Sequence, residues 1–375
     1  MLVWARGETP FSSIDEVVMR IPEFSYEKIK AWENGEELPS ISEAKKLAVL
    51  YDVPFACFFY SRVPEKRIKP YTDRRTVNGS TFKDISYELW VEIKRIMANR
   101  ETAIEVNPDA ITMYDKLPVV DSHDSIKIFA NKIRGFLNIE TPFTYKKEYN
   151  NNAFNYYRSK FESKGIMIAQ ISGVDTEEIR GVSIYYDEMP IIAINNKDWE
   201  RAKVFTLFHE MAHLIRRSSS LCLINFDDSD EEEKICDHIA AEAILPEKQF
   251  KEVVTEINSN LSVWDDWNLI KVADRFGVST LVVLIRLYKL GIINGAYYNI
   301  RYNELSKGFQ ENSKKSKPQV PIDYHYRYLN KSGYLFPRTV LSAYSNGNIS
   351  YGEMCMALNV NSMHINNIEQ VVMFR

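Results

Sequence analysis

Between Leu2 and Phe59 apolar residues recur at helical spacing in four short blocks, each closed by a breaker. Leu2, Trp4 and Ala5 open the first, and Ser13 caps a second that carries Ile14, Val17, Val18 and Ile21. A third block runs over Ser25–Asn34 and stops at Gly35, and a fourth covers Ser42–Tyr51. Pro39 and Pro54 fall beyond the third and fourth, where the ring disturbs no helix interior. The pattern predicts a compact all-helical unit. Pro64 and Pro70 with EKRIK between them then read as a solvated linker. Residues 76–120 carry one helical stretch, around Leu89–Asn99, and little other periodicity.

From Asp121 the pattern becomes mixed. Ile126, Phe129, Ile133, Phe136 and Leu137 mark an amphipathic helix, followed by the polar run KKEYNNNAFNYY. Strands are expected at Gly165–Ile171, Val182–Tyr186 and Pro190–Ile194. A long helix over Trp199–Arg217, an acidic loop DDSDEEE and a second helix from Glu231 to Leu245 come next. Residues 270–290 repeat a helix–turn–helix pattern with Gly277 at the turn, which also fits a plain helical hairpin. Residues 307–318 are polar and read as a linker before a small tail module. The expected class is α+β, with an N-terminal helical domain over 1–75, a domain of small sheet plus helices over 76–300 and a C-terminal module of uncertain type over 301–375.

Composition narrows the setting. The 375 residues hold 47 Lys plus Arg against 51 Asp plus Glu, a formal charge of −4, so no global polycation is present for gripping phosphate backbones. With 45% hydrophobic and 26% charged residues the chain matches an ordinary folded protein. No apolar run approaches the ~18–20 residues that span a bilayer, and MLVWARGETPFSS lacks a signal-peptide core, so no membrane is expected. Cys57, Cys222, Cys236 and Cys355 are scattered without CxxC spacing, which points to reduced thiols and a cytoplasmic location.

The sharpest chemical signal is His209-Glu210-Met211-Ala212-His213, an HExxH inside the long helical run. Four residues advance ~400° around a helix, so both imidazoles leave one face and can bind the same ion. Glu210 sits where such a carboxylate acts as the base without being a ligand. Apolar neighbours (Val204, Phe205, Leu207, Phe208, Leu214, Ile215) indicate a buried helix, in which two unpaired imidazoles would be costly.

A catalytic zinc needs a third protein ligand. With Glu233 at zero, Cys236, Ala240 and Ile244 fall at about 300°, 340° and 20°, so Glu233 shares the apolar face that should pack on the HExxH helix. Glu242 lies opposite, and Glu232 sits in the first turn, where acids complement the helix dipole. Asp237, one turn on, is placed either to accept from the outer nitrogen of a ligand histidine or to stand as a solvated carboxylate. His238 points away at roughly 140°. His123, His325 and His364 have no partner spacing. The segment GVSIYYDEMPIIAINN, Gly181–Asn196, fits either an exposed strand beside the metal, as Pro190 suits, or an interior hairpin.

HEMAH followed about 20 residues later by EKICDHIAAEAILP resembles the ImmA/IrrE (M78-type) metallopeptidases. The N-terminal WARGETPFSSIDEVVMRI…IKAWENGEELPSISEAKKLAVLYDVPFACFFY resembles the Xre-type helix-turn-helix that precedes the peptidase in many members, and FGVSTLVVLIRLYKLGII resembles the family's closing helices. The resemblance implies Zn2+ held by His209, His213 and Glu233, Glu210 as general base and Asp237 behind the ligands. It also implies cleavage of a partner protein, typically a helix-turn-helix repressor of a mobile element or stress regulon, with derepression as the result. Ala212 stands where many members carry Gly, a small-for-small departure. The oxyanion-stabilising residue is not specified by the pattern.

Through Thr72 ten basic residues face eleven acidic ones, and the would-be recognition helix carries Glu27 and Glu33 beside Lys28 and Lys30. Local charge therefore favours a domain that recognises protein over one that reads DNA. Two other readings stay open: a DNA-binding regulator with a structural or vestigial metal site, and a toxin or defence peptidase acting on a host target.

Overall fold

The computed structural model describes the chain except residues 64–84, 110–113, 122–123, 140–151, 218–219, 224–230, 259–263, 315–321 and 374–375, so the expected 64–70 linker and His123 lie outside the described residues. The chain divides into two compact units, Met1–Met97 and Ala98–Arg375.

The first unit comprises α1 (Leu2–Gly7), α2 (Ile14–Arg20), α3 (Tyr26–Asn34), α4 (Ile41–Leu50), a 3-10 turn at Phe55–Phe59 and the first part of α5 (Tyr87–Val106). Side-chain caps define the starts: Ser13 accepts from the Glu16 N–H and Ser25 from the Lys28 N–H. α4 starts at Ile41, one residue before the expected Ser42. Its cap is Ser40, in a reciprocal box with Glu43. Val17, Ile29, Trp32, Leu47 and Tyr51 are buried together as the core. The basic side chains are largely engaged within the unit: Arg6 on Glu33 at 2.8 Å, Lys28 on Glu43 at 2.5 Å, Lys46 on Glu23 at 2.6 Å and Arg20 on Glu88 at 2.5 Å.

The second unit builds a four-stranded sheet from β1 (Met167–Ile171), β2 (Ile179–Ile184), β3 (Ile191–Asn195) and β4 (Ser220–Leu223), in the order β1-β3-β2-β4. β1 runs parallel to β3, and β2 is antiparallel to both β3 and β4. The segment Gly181–Asn196 is thus an interior hairpin rather than an exposed strand. Every residue of IIAIN in β3 is buried, the signature of a strand covered on both faces. Pro190 stands just before β3, where a missing donor costs no ladder bond, and its carbonyl accepts from the Met167 N–H.

Around the sheet lie α6 (Ile126–Leu137), α7 (Ala153–Glu162), α8 (Glu200–Ile215), α9 (Glu231–Ile244), α10 (Glu247–Ile257), α11 (Asp266–Phe276), α12 (Thr280–Lys289) and α13 (Gly295–Lys314). The polar run expected before β1 ends in a helix, because Asn152 caps α7 and Phe154, Tyr157 and Phe161 supply its buried face. The expected linker at 307–318 is in part the end of α13. Gly277, left-handed at φ 69°, closes α11, and Ser279 caps α12 two residues later. α8 packs on β2 and β3, and α9 packs on α8 and α6.

Four further helices follow, α14 (Tyr324–Ser332), α15 (Leu335–Ser345), α16 (Tyr351–Leu358) and α17 (Ile365–Met373). α14 and α15 seat against β1. Arg158 of α7, 1% exposed, donates to the Leu329 carbonyl at 2.5 Å and stacks over Tyr334. Glu162 accepts from the Tyr334 and Leu335 N–H groups at 2.7 and 3.2 Å, at the start of α15. Gly333 joins the two helices at φ 84°, where a β-carbon would collide with the Ile168 carbonyl.

Gly333→Ala should therefore lower stability by at least ~1–3 kcal/mol, read as the midpoint of a chemical melt, since both strain and collision oppose the new methyl. In the first unit, hydrogen bonds from Lys28 and Ser40 hold the Glu43 carboxyl down at about 2. A depressed value stabilises the fold above the ordinary carboxyl range and is lost on acidification toward pH 2. Glu43→Gln should flatten that part of the acid-unfolding curve followed by circular dichroism.

Candidate metal centre

α8 supplies His209 and His213 one turn apart on a single face, and the first turn of α9 brings Glu233 against them. His209 Nε2 lies 3.0 Å from Glu233 Oε2, His213 Nε2 lies 3.3 Å from Glu233 Oε1, and the two Nε2 atoms are 3.1 Å apart. The helices approach this closely because Ala212 and Met211 meet Cys236, Ile239, Ala240 and Ala243, all fully buried, with little side-chain volume on the α9 side. His213 is sealed, whereas the side chains of His209 and Glu233 keep 12% and 15% exposure, so one side of the cluster faces solvent.

The outer ring nitrogens have their own partners. Asp237 Oδ1 lies 2.8 Å from His209 Nδ1. A carboxylate can only accept, so Asp237 fixes a proton on Nδ1 and leaves Nε2, which faces Glu233, as the ring nitrogen an ion would take. Behind His213, Cys236 Sγ lies 3.5 Å from Nδ1. Burial raises the Cys236 thiol, with His213 pulling the other way. Burial also raises the Glu233 carboxyl, but hydrogen bonds and charge from His209 and His213 outweigh it and leave the group well below the usual range.

Glu210 is wholly buried, and neither of its carboxylate oxygens completes a hydrogen bond of good geometry, although the Ser183 hydroxyl lies near enough to interact. Burial pushes its pKa up, opposed by the charge of His213 and His209 and by the Ser183 hydroxyl on β2.

Among the described residues, two groups of donors are close enough to hold an ion, with their atoms within 4.8 Å of one another: His209, His213 and Glu233, and His213, Glu232 and Cys236. Glu232 already takes both its oxygens to Arg216, at 2.6 Å each. The first group offers two imidazole nitrogens and a carboxylate oxygen, a set that suits zinc with a coordination position left over. The buried Glu210 carboxylate next to these rings fits the same occupant, since a buried acid with no well-formed hydrogen bond needs a nearby positive charge.

The remaining sequence candidates lie elsewhere. His238 is exposed on the far side of α9, His364 stacks on Tyr324, and His325 lies tilted against Tyr326. Glu242 does face away from the cluster, yet it is buried, because α12 covers it and Arg286 pairs with it. The Arg216–Glu232 clasp between α8 and α9 was not foreseen. The Arg-Arg pair closing the HExxH run, 16 residues ahead of an acidic triplet, was its only trace in the chain.

Residues 162–288 match the family model of the IrrE N-terminal-like domain, peptidase M78. The chain carries an M78-type peptidase domain. Its matched stretch contains the whole sheet, α8, α9 and the α11–α12 hairpin. No curated protein and no solved structure matches the chain. An M78 domain is of the zincin-like metallopeptidase type, so a metal, usually zinc, belongs with it. Among the described residues no helix is long and apolar enough to cross a membrane.

Metal analysis separates the two donor groups. Purified protein should hold one zinc per chain, and Glu233→Ala or His209→Ala should lose it under dialysis that leaves Glu232→Ala and Cys236→Ser loaded. His213→Ala, common to both groups, should lose it in either case.

Proposed function

We propose that this protein is a zinc-dependent endopeptidase that cleaves a partner protein, a helix-turn-helix repressor of a mobile element or stress regulon, and so relieves repression. The observation that carries the peptidase reading is the wholly buried Glu210 carboxylate beside two converging imidazoles and the Glu233 carboxylate. His209, His213 and Glu233 are the residues that would hold the ion. Bound there, zinc supplies Lewis acidity toward a peptide carbonyl and makes water acidic enough to attack at neutral pH.

The chain's own groups do the proton work. Glu210, raised by burial, takes a proton from the attacking water and returns it to the departing amide nitrogen. Asp237 fixes the His209 ring by accepting from Nδ1, and Cys236 lies against His213 Nδ1. Neither group moves a proton in this scheme.

We assign the first unit as an Xre-type helix-turn-helix domain that recognises protein, the cognate repressor, rather than DNA. Among the described residues, Arg6, Arg20, Lys28 and Lys46 are paired with Glu33, Glu88, Glu43 and Glu23 within the unit, which supports the protein reading for that part of the surface. The repressor as substrate rests on the resemblance to ImmA/IrrE proteins.

Glu210→Gln should keep its zinc and fold but lose at least ~10²-fold in cleavage rate, measured by mass spectrometry of fragments after co-expression with the repressor encoded beside this gene. Undiminished cleavage by that variant would remove Glu210 as the base.

A further inference from the structure

We propose that Gly181 of β2 is a positioning residue for Glu210: its missing side chain is the slot in which the catalytic carboxylate rests. The inference rests on the reading of Glu210 as the base. Glycine in a strand interior weakens it and marks a close approach of something else. β2 is a central strand with Ile179, Val182 and Ile184 buried around this position, so the glycine is not at an edge or a turn. The β2–β4 register does shift by one residue between Ile179 and Val182, but Gly181 is not among the glycines with positive φ, so the irregularity does not itself demand a glycine. What the position needs is space.

The occupants of that space are known. A β-carbon on Gly181 would stand 2.6 Å from Thr206 Cγ2, 2.8 Å from Glu210 Oε1 and 3.1 Å from Glu210 Cγ. Thr206 and Glu210 are one turn apart on the face of α8 that lies on the sheet. Ser183 is two residues along β2, on the same strand face as Gly181, and is fully buried. The glycine therefore sets two things at once: how closely α8 approaches β2, through Thr206, and where the Glu210 carboxylate stops, through Oε1 and Cγ. A methyl group at 181 would drive Oε1 off the strand and away from its present position beside the two rings.

The packing role and the positioning role separate by relieving each clash alone. Thr206→Ser removes Cγ2 and frees the helix, while Glu210→Asp withdraws the carboxylate by one methylene. The readouts are melting temperature, the crystal position of residue 210, and the affinity of the zinc-loaded full chain for acetohydroxamate, whose hydroxyl needs a carboxylate acceptor beside the metal. Gly181→Ala should displace the Glu210 carboxylate and weaken acetohydroxamate roughly tenfold to hundredfold, as expected for one hydrogen bond to a charged group. Adding Thr206→Ser should restore the melting temperature and leave the affinity low. In a Glu210→Asp background, Gly181→Ala should change affinity by less than about twofold, the limit of independent effects.

Affinity that recovers together with the melting temperature in Gly181→Ala/Thr206→Ser would overturn the proposal, as would a Gly181→Ala crystal structure with the carboxylate in its original place. Should the zinc-loaded wild type fail to bind acetohydroxamate, the peptidase reading fails instead. The crystal position of Glu210 in Gly181→Ala still decides the positioning claim.

Discussion

A carboxylate taken out of water with no well-formed hydrogen bond on either oxygen is among the costliest groups a protein can carry, by several kcal/mol for the charged form. Glu210 is such a group, and the surrounding residues bear the marks of that cost. Two imidazoles and a second carboxylate converge within hydrogen-bond distance on its own helix and on the next. The sheet below gives up a side chain at Gly181 to make room. None of these features helps a hydrophobic core, and together they fit a positive charge that would complete the site.

The pairing of α8 with α9 translates that requirement into backbone. Small residues on the α9 face let the two helices close until donors from each reach one point, and Arg216 with Glu232 clamps the open end. The clamp also decides between the two possible donor groups, because a carboxylate held by both oxygens on a guanidinium is not readily given to an ion. Cys236 contributes as a small, apolar contact behind His213, a position where a thiol can touch the ring without charging the interior.

Much of this could be read from the chain because helical geometry is rigid. A four-residue spacing puts two histidines on one face whatever surrounds them, and the arc shared by Glu233, Cys236, Ala240 and Ile244 depends only on the helical repeat. The structure accordingly brings Glu233 to the His209 and His213 rings, and Asp237 to His209. What could not be read depends on which elements lie next to each other. Gly181–Asn196 fitted an edge or an interior hairpin equally until β4, formed by Ser220–Leu223, paired with the far side of β2. The α7 helix was hidden by Asn-rich flanks, and its aromatic face makes sense only once the helix is known to pack on α8. The start of the fourth block fell one residue late because its signal is the cap, Ser40, with a glutamate three residues on at Glu43, and not the apolar spacing. Even the M78 match ends before the closing helices, so their seat on β1 had no counterpart in any motif.

The seat of α14 and α15 on β1 has a consequence for how the molecule is made. The strand they cover is complete when Ile171 has been added, but its cover is not synthesised until some 150–170 residues later, at Tyr324–Ser345. Through that interval a nascent chain on the ribosome exposes an unguarded row of backbone groups, and Arg158 and Glu162 sit without the carbonyl and amides that later satisfy them. β1 therefore acquires the helices that seat against it only late in translation.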